Sequence, residues 1–309
     1  MSPVHVVTPI WESPSFTAAL GAPVLLKMEA FQPVGSFKAR AMGAVCEARL
    51  AEGASRIVCA SGGNAGYAAA YASRRLGMAA TIVVPHTATQ RAMDLIRGEG
   101  AEMLVHGQSF DDAQVRALEL VAETGAAYAH PFDDPAAWRG NATLVAELAD
   151  AGVKPGAVVV SVGGGGLLSG IVEGLQNLGW NDIPILAVET AGAASLAAAM
   201  QAGQVVTLDR ITSIATTLAA QRVCQRALDV TREHPVTSHV VSDRVAVDAC
   251  LRFADEHRVL VEPACGASLA AVYAAHPLLR GRDPVLVVVC GGAGVTREQL
   301  ARWDRDVPR

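Results

Sequence analysis

The sequence predicts an α/β fold with mainly parallel sheets flanked by helices, divided between two domains. Three observations predict it. Short β-branched runs alternate with alanine-rich stretches of helical length along the chain, the order of strand and helix in βαβ units. The strand runs are apolar on both faces, as strands covered on both sides by helices must be. Hydrophobic residues make up 51% of the 309 residues and charged residues 18%, a balance that supports a sizeable core and excludes a disordered chain.

Taken in order, VLLKME at 24–29 is a strand leading to a helix that starts at Phe37. RIVCA at 56–60 leads to a helix from Asn64, ATIVV at 80–84 to one from Ala88, and EMLV at 102–105 to one from Phe110. AVVVS at 157–161 leads to a helix from Gly166, and IPILAV at 183–188 to one from Ser195. Helices from Asp243 and Gly266 follow, and VLVVV at 285–289 precedes the last, from Thr296. Seams are expected near 39–41 and 131–134. They divide the chain into a large domain of residues 1–39 plus 133–309 and a small inserted α/β domain of residues 40–132.

Bulk composition narrows the function. The net charge of -5 and the lack of any Lys/Arg block argue against nucleic acid as a partner. No run of about 18 apolar residues exists to span a membrane, and the N-terminus shows no signal-peptide pattern. The six cysteines form no C-x-x-C pair and the eight histidines no H-E-x-x-H, so neither disulfides nor a zinc site is expected. Buried thiols in a reducing cytoplasm are the expectation. Of the 25 basic residues only Lys27, Lys38 and Lys154 are lysine. Each surviving lysine therefore invites an explanation.

Four strand–helix junctions are unusually small or polar, and ligands in open α/β sheets sit at such junctions. The first is QPVGSFK at 32–38. Ser36 is the expected N-cap, which puts Lys38 in the first helical turn, where the helix dipole disfavours a cation and lowers the amine pKa. A lysine so placed suits nucleophilic or Schiff-base chemistry, although on position alone a solvated surface lysine is the readier reading. The second is ASGGNAG at 60–66. Its small residues expose backbone N–H groups at a helix start, a receptor for a carboxylate or phosphate. The third, SVGGGGLLSG at 161–170, has four consecutive glycines. It lacks the Lys-Ser/Thr of a P-loop and the spacing of a dinucleotide fingerprint, so a monophosphate is the better ligand. The fourth is VCGGAG at 289–294. Cys290 faces the same crevice or is an ordinary buried thiol.

A lysine, a phosphate-shaped loop and a carboxylate-shaped loop together suit pyridoxal phosphate. The chain resembles the fold-type II pyridoxal-phosphate enzymes, within them the L-serine/L-threonine dehydratases. GSFKAR (35–40), SGGNAGYAAAYASRRLG (61–77), PFDDPAAWRGNAT (131–143), SVGGGGLLSG (161–170), AVETAGAAS (187–195), LVEPACGASLAAVYAAH (260–276) and VVVCGGAGV (287–295) carry the resemblance. It implies a two-domain tryptophan synthase β-like architecture.

It also implies roles. Lys38 forms the Schiff base and then acts as the Cα base. Phe37 packs against the cofactor ring, Asn64 bonds the ring hydroxyl, and Cys290 meets the ring nitrogen. Gly163, Gly164, Gly165, Gly166 and Leu167 hold the phosphate. Ser61 and the backbone of Gly62, Gly63, Asn64 and Ala65 hold the substrate carboxylate, with Ser61 near the leaving hydroxyl. Glu189, Ala193, Ser195, Leu218 and Ala220 match a monovalent-cation site, with potassium the expected ion.

The implied reaction is β-elimination from L-serine or L-threonine to pyruvate or 2-oxobutyrate plus ammonia. Rival activities on the same scaffold are a serine racemase, a β-replacing synthase and a dehydratase of bulkier 3-hydroxy amino acids. A catalytically silent phosphate-ligand binding protein is the rival of another class. Gly62 stands where the high-activity dehydratases carry alanine, Ala65 stands where the common family version has histidine, and the stretch Leu218-Ala219-Ala220-Gln221 lacks the usual glycine. No C-terminal regulatory domain is expected. Relatives of this kind imply a homodimer.

Overall fold

The computed structural model describes residues 3–308. Among them, one sheet orders β1 (Ile10–Glu12), β2 (Val24–Lys27), β10 (Val285–Val288), β7 (Ala157–Ser161), β8 (Ile185–Thr190) and β9 (Val236–Val241). All its neighbours run parallel except β1, which pairs antiparallel with β2 and sets Trp11 opposite Leu26. The second sheet orders β5 (Glu102–Val105), β4 (Ala79–Val84), β3 (Arg56–Ala60) and β6 (Ala127–Tyr128), all parallel. This is the α/β class that the alternating pattern predicts. Parallel pairing gathers the carboxyl ends of neighbouring strands at one edge of each sheet, where the four polar junctions emerge.

All seven expected strands are present. The first stops at Lys27 because residues 29–31 turn into a 3-10 helix. The strand expected at 183–188 starts at Ile185, after Pro184, which cannot donate to a ladder. Three further strands, β1, β6 and β9, carry no clear apolar signal. All three are outermost strands of their sheets, and β6 is two residues long.

Helices α2 (Lys38–Ala51), α3 (Asn64–Leu76), α4 (Gln90–Gly98), α5 (Phe110–Thr124), α7 (Gly166–Asn177), α8 (Ser195–Ala202), α10 (Asp243–His257), α11 (Pro263–Tyr273) and α12 (Arg297–Asp306) match the expected starts to within three residues. Three more appear: α1 (Pro14–Leu20), α6 (Pro135–Asp150) and α9 (Gln225–Glu233). Helix α6 begins with an Asp134 cap followed by Pro135, a start signal inside the stretch that reads as a seam.

Ser36 is not the N-cap of α2. Phe37 takes that place with no side-chain cap bond. Ser36 forms an isolated bridge with Gly291 instead, and its Oγ is buried without a partner.

Helices α2 and α6 lie side by side. A Cβ at Gly140 would come closer than 3.0 Å to the Arg40 carbonyl and the Ala44 methyl. Between them runs a buried charge network. The Arg40 guanidinium donates to both Glu29 oxygens at 2.8 Å and also to Glu147 and Thr143. Lys27 Nζ donates to Glu147 and, at 2.7 Å, to the Thr8 carbonyl. Two cations and two carboxylates balance, the condition for tolerating charge in an interior. The network accounts for Lys27. Lys154 instead rests its ammonium 6.0 Å from the centre of the Trp180 ring, a cation–π contact at the outer limit of range.

Candidate active site

The loop after β2 lies against the loop after β10. Phe37 N donates to the Cys290 carbonyl at 3.1 Å, and Gly292 N donates to the Gly35 carbonyl at 2.8 Å. Lys38 therefore starts α2 beside Cys290. Its Nζ donates to the Pro131 carbonyl at 2.6 Å and stands 5.1 Å from the centre of the Phe37 ring. Burial pushes the amine down to about 8. The dominant cause is desolvation.

The carbonyl that receives Lys38 belongs to a tight turn. His130 Nδ1 accepts from Asp133 N at 2.8 Å and from Phe132 N at 3.3 Å. Burial first, then the positive charges of Lys38 and Arg222, push His130 down to about 4, so its ring stays neutral and Nδ1 can accept.

Two unfilled donor arrays face this region. The tetraglycine loop joins β7 to α7. Gly164 O accepts from Cys224 N, and Gly165 O accepts from Ser169 N. The N–H groups from Gly163 to Leu168, by contrast, have no acceptor among the described residues. A Cβ at Gly164 would lie closer than 3.0 Å to the Phe132 ring, and one at Gly163 would lie 3.1 Å from Leu218 Cα. The glycines are there because protein closes on the loop from outside while its N–H groups stay free. That is an anion cradle at the start of a helix.

The second array is residues 61–66 at the start of α3. Ser61 N is tied to the Val83 carbonyl, and Gly63 N is tied at 3.3 Å to Ser61 Oγ. The N–H groups of Gly62, Asn64, Ala65 and Gly66 have no acceptor among the described residues. A Cβ at Gly62 would lie 2.7 Å from the Ala88 methyl. Ala88 has taken the space that the missing side chain leaves, so Gly62 does not widen the pocket.

Asn64 does not stand alone. Its Oδ1 accepts from Ala293 N at 3.0 Å, and its Nδ2 donates at 3.0 Å to Glu262. Glu262 also accepts from Thr217 Oγ1 at 2.8 Å and from Gly294 N at 2.9 Å. Sequence reasoning singles out neither Glu262 nor Thr217. The only signal for Glu262 is its place in LVEPACGAS.

The Cys290 thiol is buried, and a hydrogen bond with the Cys265 thiol, together with burial, pushes it up. It therefore stays a neutral thiol. All six cysteines are buried and unpaired.

Glu189, at the end of β8, accepts from Leu196 N at 2.7 Å and from Ala197 N at 2.8 Å. Burial pushes its carboxyl up to about 7. Ser195 Oγ beside it is buried without a partner. Leu218 and Ala220 lie on the loop that closes over Gly163, and Leu218 O accepts from Ala220 N at 2.7 Å.

The family model described as pyridoxal-phosphate dependent enzyme matches residues 1–291. The chain is 48% identical over 307 residues to a serine dehydratase-like protein of Rattus norvegicus, covering 96% of this chain and 93% of that one. It is 47% identical over 309 residues to the L-serine dehydratase/L-threonine deaminase of Homo sapiens, covering 96% and 94%. The crystal structure of a fungal L-serine ammonia-lyase from Rhizomucor miehei superposes with a TM-score of 0.93 at 35% identity, covering 99% of this chain and all of that one.

The site fits the cofactor that the family name carries. It offers a desolvated amine for an aldehyde, unpartnered N–H groups for a phosphate and a neutral thiol for a ring nitrogen. The chain belongs to the family of pyridoxal-phosphate dependent enzymes.

Proposed function

We propose that the protein dehydrates and deaminates L-serine and L-threonine, releasing pyruvate or 2-oxobutyrate and ammonia. One observation carries this reading: the desolvated Lys38 amine is flanked by the tetraglycine loop, through Pro131 and Phe132, and by the 61–66 loop, through Cys290 to Ala293, two separate arrays of N–H groups without an acceptor among the described residues. A single anionic ligand needs one array. A cofactor phosphate plus a substrate carboxylate need two.

Pyridoxal phosphate, when bound, supplies an aldehyde for an amine and a sink for the electron pair left on Cα. The N–H groups from Gly163 to Leu167 hold its phosphate, Phe37 covers its ring, and Asn64 donates to its ring hydroxyl. Cys290 would set a neutral thiol, which is not a strong acid, against the ring nitrogen. The backbone of Gly62 to Ala65 and Ser61 orient the substrate carboxylate. Lys38, neutral above about pH 8, takes the Cα proton at Nζ. Ser61 stands near the hydroxyl that leaves as water.

A monovalent cation, potassium by expectation, belongs to Glu189, Ala193, Ser195, Leu218 and Ala220. Support comes from the buried Glu189 carboxylate and the orphaned Ser195 hydroxyl. The chain divides into a domain of residues 1–39 plus 133–309 and one of residues 40–132, a reading supported by the second sheet, which draws its strands only from 56–128.

The working form is a cytoplasmic homodimer. Exposed Val6, Val7, Trp11 and Phe31 support a subunit contact, which light scattering checks. Among the described residues, no helix is long and apolar enough to cross a membrane.

The test is a panel of L-serine, L-threonine and L-phenylserine with holoenzyme, with and without potassium, scoring ammonia and oxoacid. D-serine is followed by chiral chromatography, and added sulfide probes β-replacement. Oxoacid release from serine and threonine that Lys38→Ala abolishes supports the proposal. Formation of D-serine without oxoacid, sulfide-dependent product alone, or turnover by Lys38→Ala overturns it.

A further inference from the structure

Glu262 sits where three loops meet, and its carboxylate accepts a hydrogen bond from each. Gly294 N–H comes from the loop after β10, Asn64 Nδ2 from the start of α3, and Thr217 Oγ1 from the loop over the tetraglycine turn. The glycines around it make the room. A Cβ at Gly292 would lie closer than 3.0 Å to the Glu262 side chain, and one at Gly294 would lie 3.0 Å from its Oε1. Gly292, which also has a φ of +149°, and Gly294 leave the space that the carboxylate fills.

The amide of Asn64 can be oriented without ambiguity. Ala293 N–H can only donate, so Oδ1 must face it. Nδ2 then faces Glu262 and spends one hydrogen there. One N–H remains. With Oδ1 already engaged, what Asn64 offers the cleft is a donor.

We infer that Glu262, steadied by Thr217, is a positioning residue that locks Asn64 as a donor toward the ring oxygen of the cofactor. This rests on the proposed reading of Asn64 against that ring. A donor there stabilises the oxygen in its anionic form. Burial pushes the Glu262 carboxyl up, and its three donors oppose that push. Three hydrogen bonds, two of them from N–H groups that can only donate, suit the ionised state.

Glu262→Gln breaks the polarity. Gly294 N–H claims the single amide oxygen, so the glutamine nitrogen meets Asn64 Nδ2 as donor against donor. Rotating the Asn64 amide only moves the conflict to Ala293 N–H. The side chain keeps nearly its volume, so the fold is not the target. Thr217→Val removes one donor and keeps the shape, and Thr217→Ser restores the donor.

The experiment measures pyridoxal phosphate itself. Its dissociation constant, and the ratio of its long- to short-wavelength absorbance at fixed pH, are read for wild type, Glu262→Gln, Asn64→Ala, the double variant, Thr217→Val and Thr217→Ser. Circular dichroism and a melt of each apoprotein report folding. The expectation is about tenfold weaker binding and a shifted ratio in Glu262→Gln, the loss of roughly one charged hydrogen bond. A smaller shift is expected in Thr217→Val, and none in Thr217→Ser.

The decisive comparison is the double variant. In the Asn64→Ala background, Glu262→Gln should change neither quantity further. Full additivity would mean that Glu262 acts without Asn64 and would overturn the inference alone. An unchanged ratio and affinity in Asn64→Ala would overturn both the inference and the reading of Asn64 on which it rests.

Discussion

Gly62→Ala tests whether the substrate cradle and the loop after β4 are truly in contact. The added Cβ would sit 2.7 Å from Ala88 Cβ and 3.1 Å from Pro85 Cδ. Relaxed carbon contacts lie about 3.5–4.0 Å apart, so one loop must retreat by roughly 1 Å. Overpacking of this kind costs about 1–3 kcal/mol. Against it stands about 0.4–1 kcal/mol from the reduced freedom of the unfolded chain. The net is about 1 kcal/mol of destabilisation, a fall of about 2–4 °C in Tm for a large domain.

If residues 61–66 do the retreating, their N–H groups leave the carboxylate. KM for L-serine then rises about fivefold, the equivalent of one weakened hydrogen bond. The assay is steady-state kinetics with a thermal melt. Ala88→Gly in the same chain removes the colliding methyl and should return both Tm and KM toward wild type. An unchanged Tm and KM in Gly62→Ala, or no rescue by Ala88→Gly, would refute the reasoning.

Other outcomes follow from the same geometry. Because burial holds the Lys38 amine at about 8, it is protonated and unreactive below that pH and free above it. The rate of apoenzyme reconstitution with pyridoxal phosphate should therefore rise with pH, with its midpoint near 8 rather than above 10, followed by stopped-flow absorbance. Lys27→Met leaves the Glu147 carboxylate with Arg40 alone and should cost about 3 kcal/mol, seen in urea unfolding. Glu189→Gln exchanges a carboxylate that accepts two backbone N–H groups for an amide with one oxygen. It should raise the potassium concentration for half-activation at least about tenfold, measured by titrating potassium into a sodium-free assay.

Much of the site is visible in the sequence because its parts are local. A strand followed by GGGG or SGGNAG suggests an anion cradle from neighbouring residues alone, and the two loops together single out the lysine of GSFK. The seven expected strands lie mostly in the sheet interiors, where burial on both faces writes an unbroken apolar run. The outermost strands β1, β6 and β9 escape because one side meets no partner and their composition is mixed. Ser36 reads as a cap from its type and place, yet its pairing with Gly291, 255 residues away in the chain, turns its hydroxyl elsewhere.

The sequence by itself determined the fold class and marked the four strand–helix junctions and the lysine on which the proposed chemistry rests. Tertiary structure alone decided what surrounds them. Lys27 and Arg40 meet Glu147 only after α6 packs on α2. Glu262 meets Asn64 across 198 residues and Thr217 across 45. Ala88 fills the space beside Gly62 only because β3 and β4 are neighbours. Each is a contact between segments distant in the chain. No periodicity, cap or turn signal encodes such contacts, because their energy exists only once the intervening strands and helices are in place.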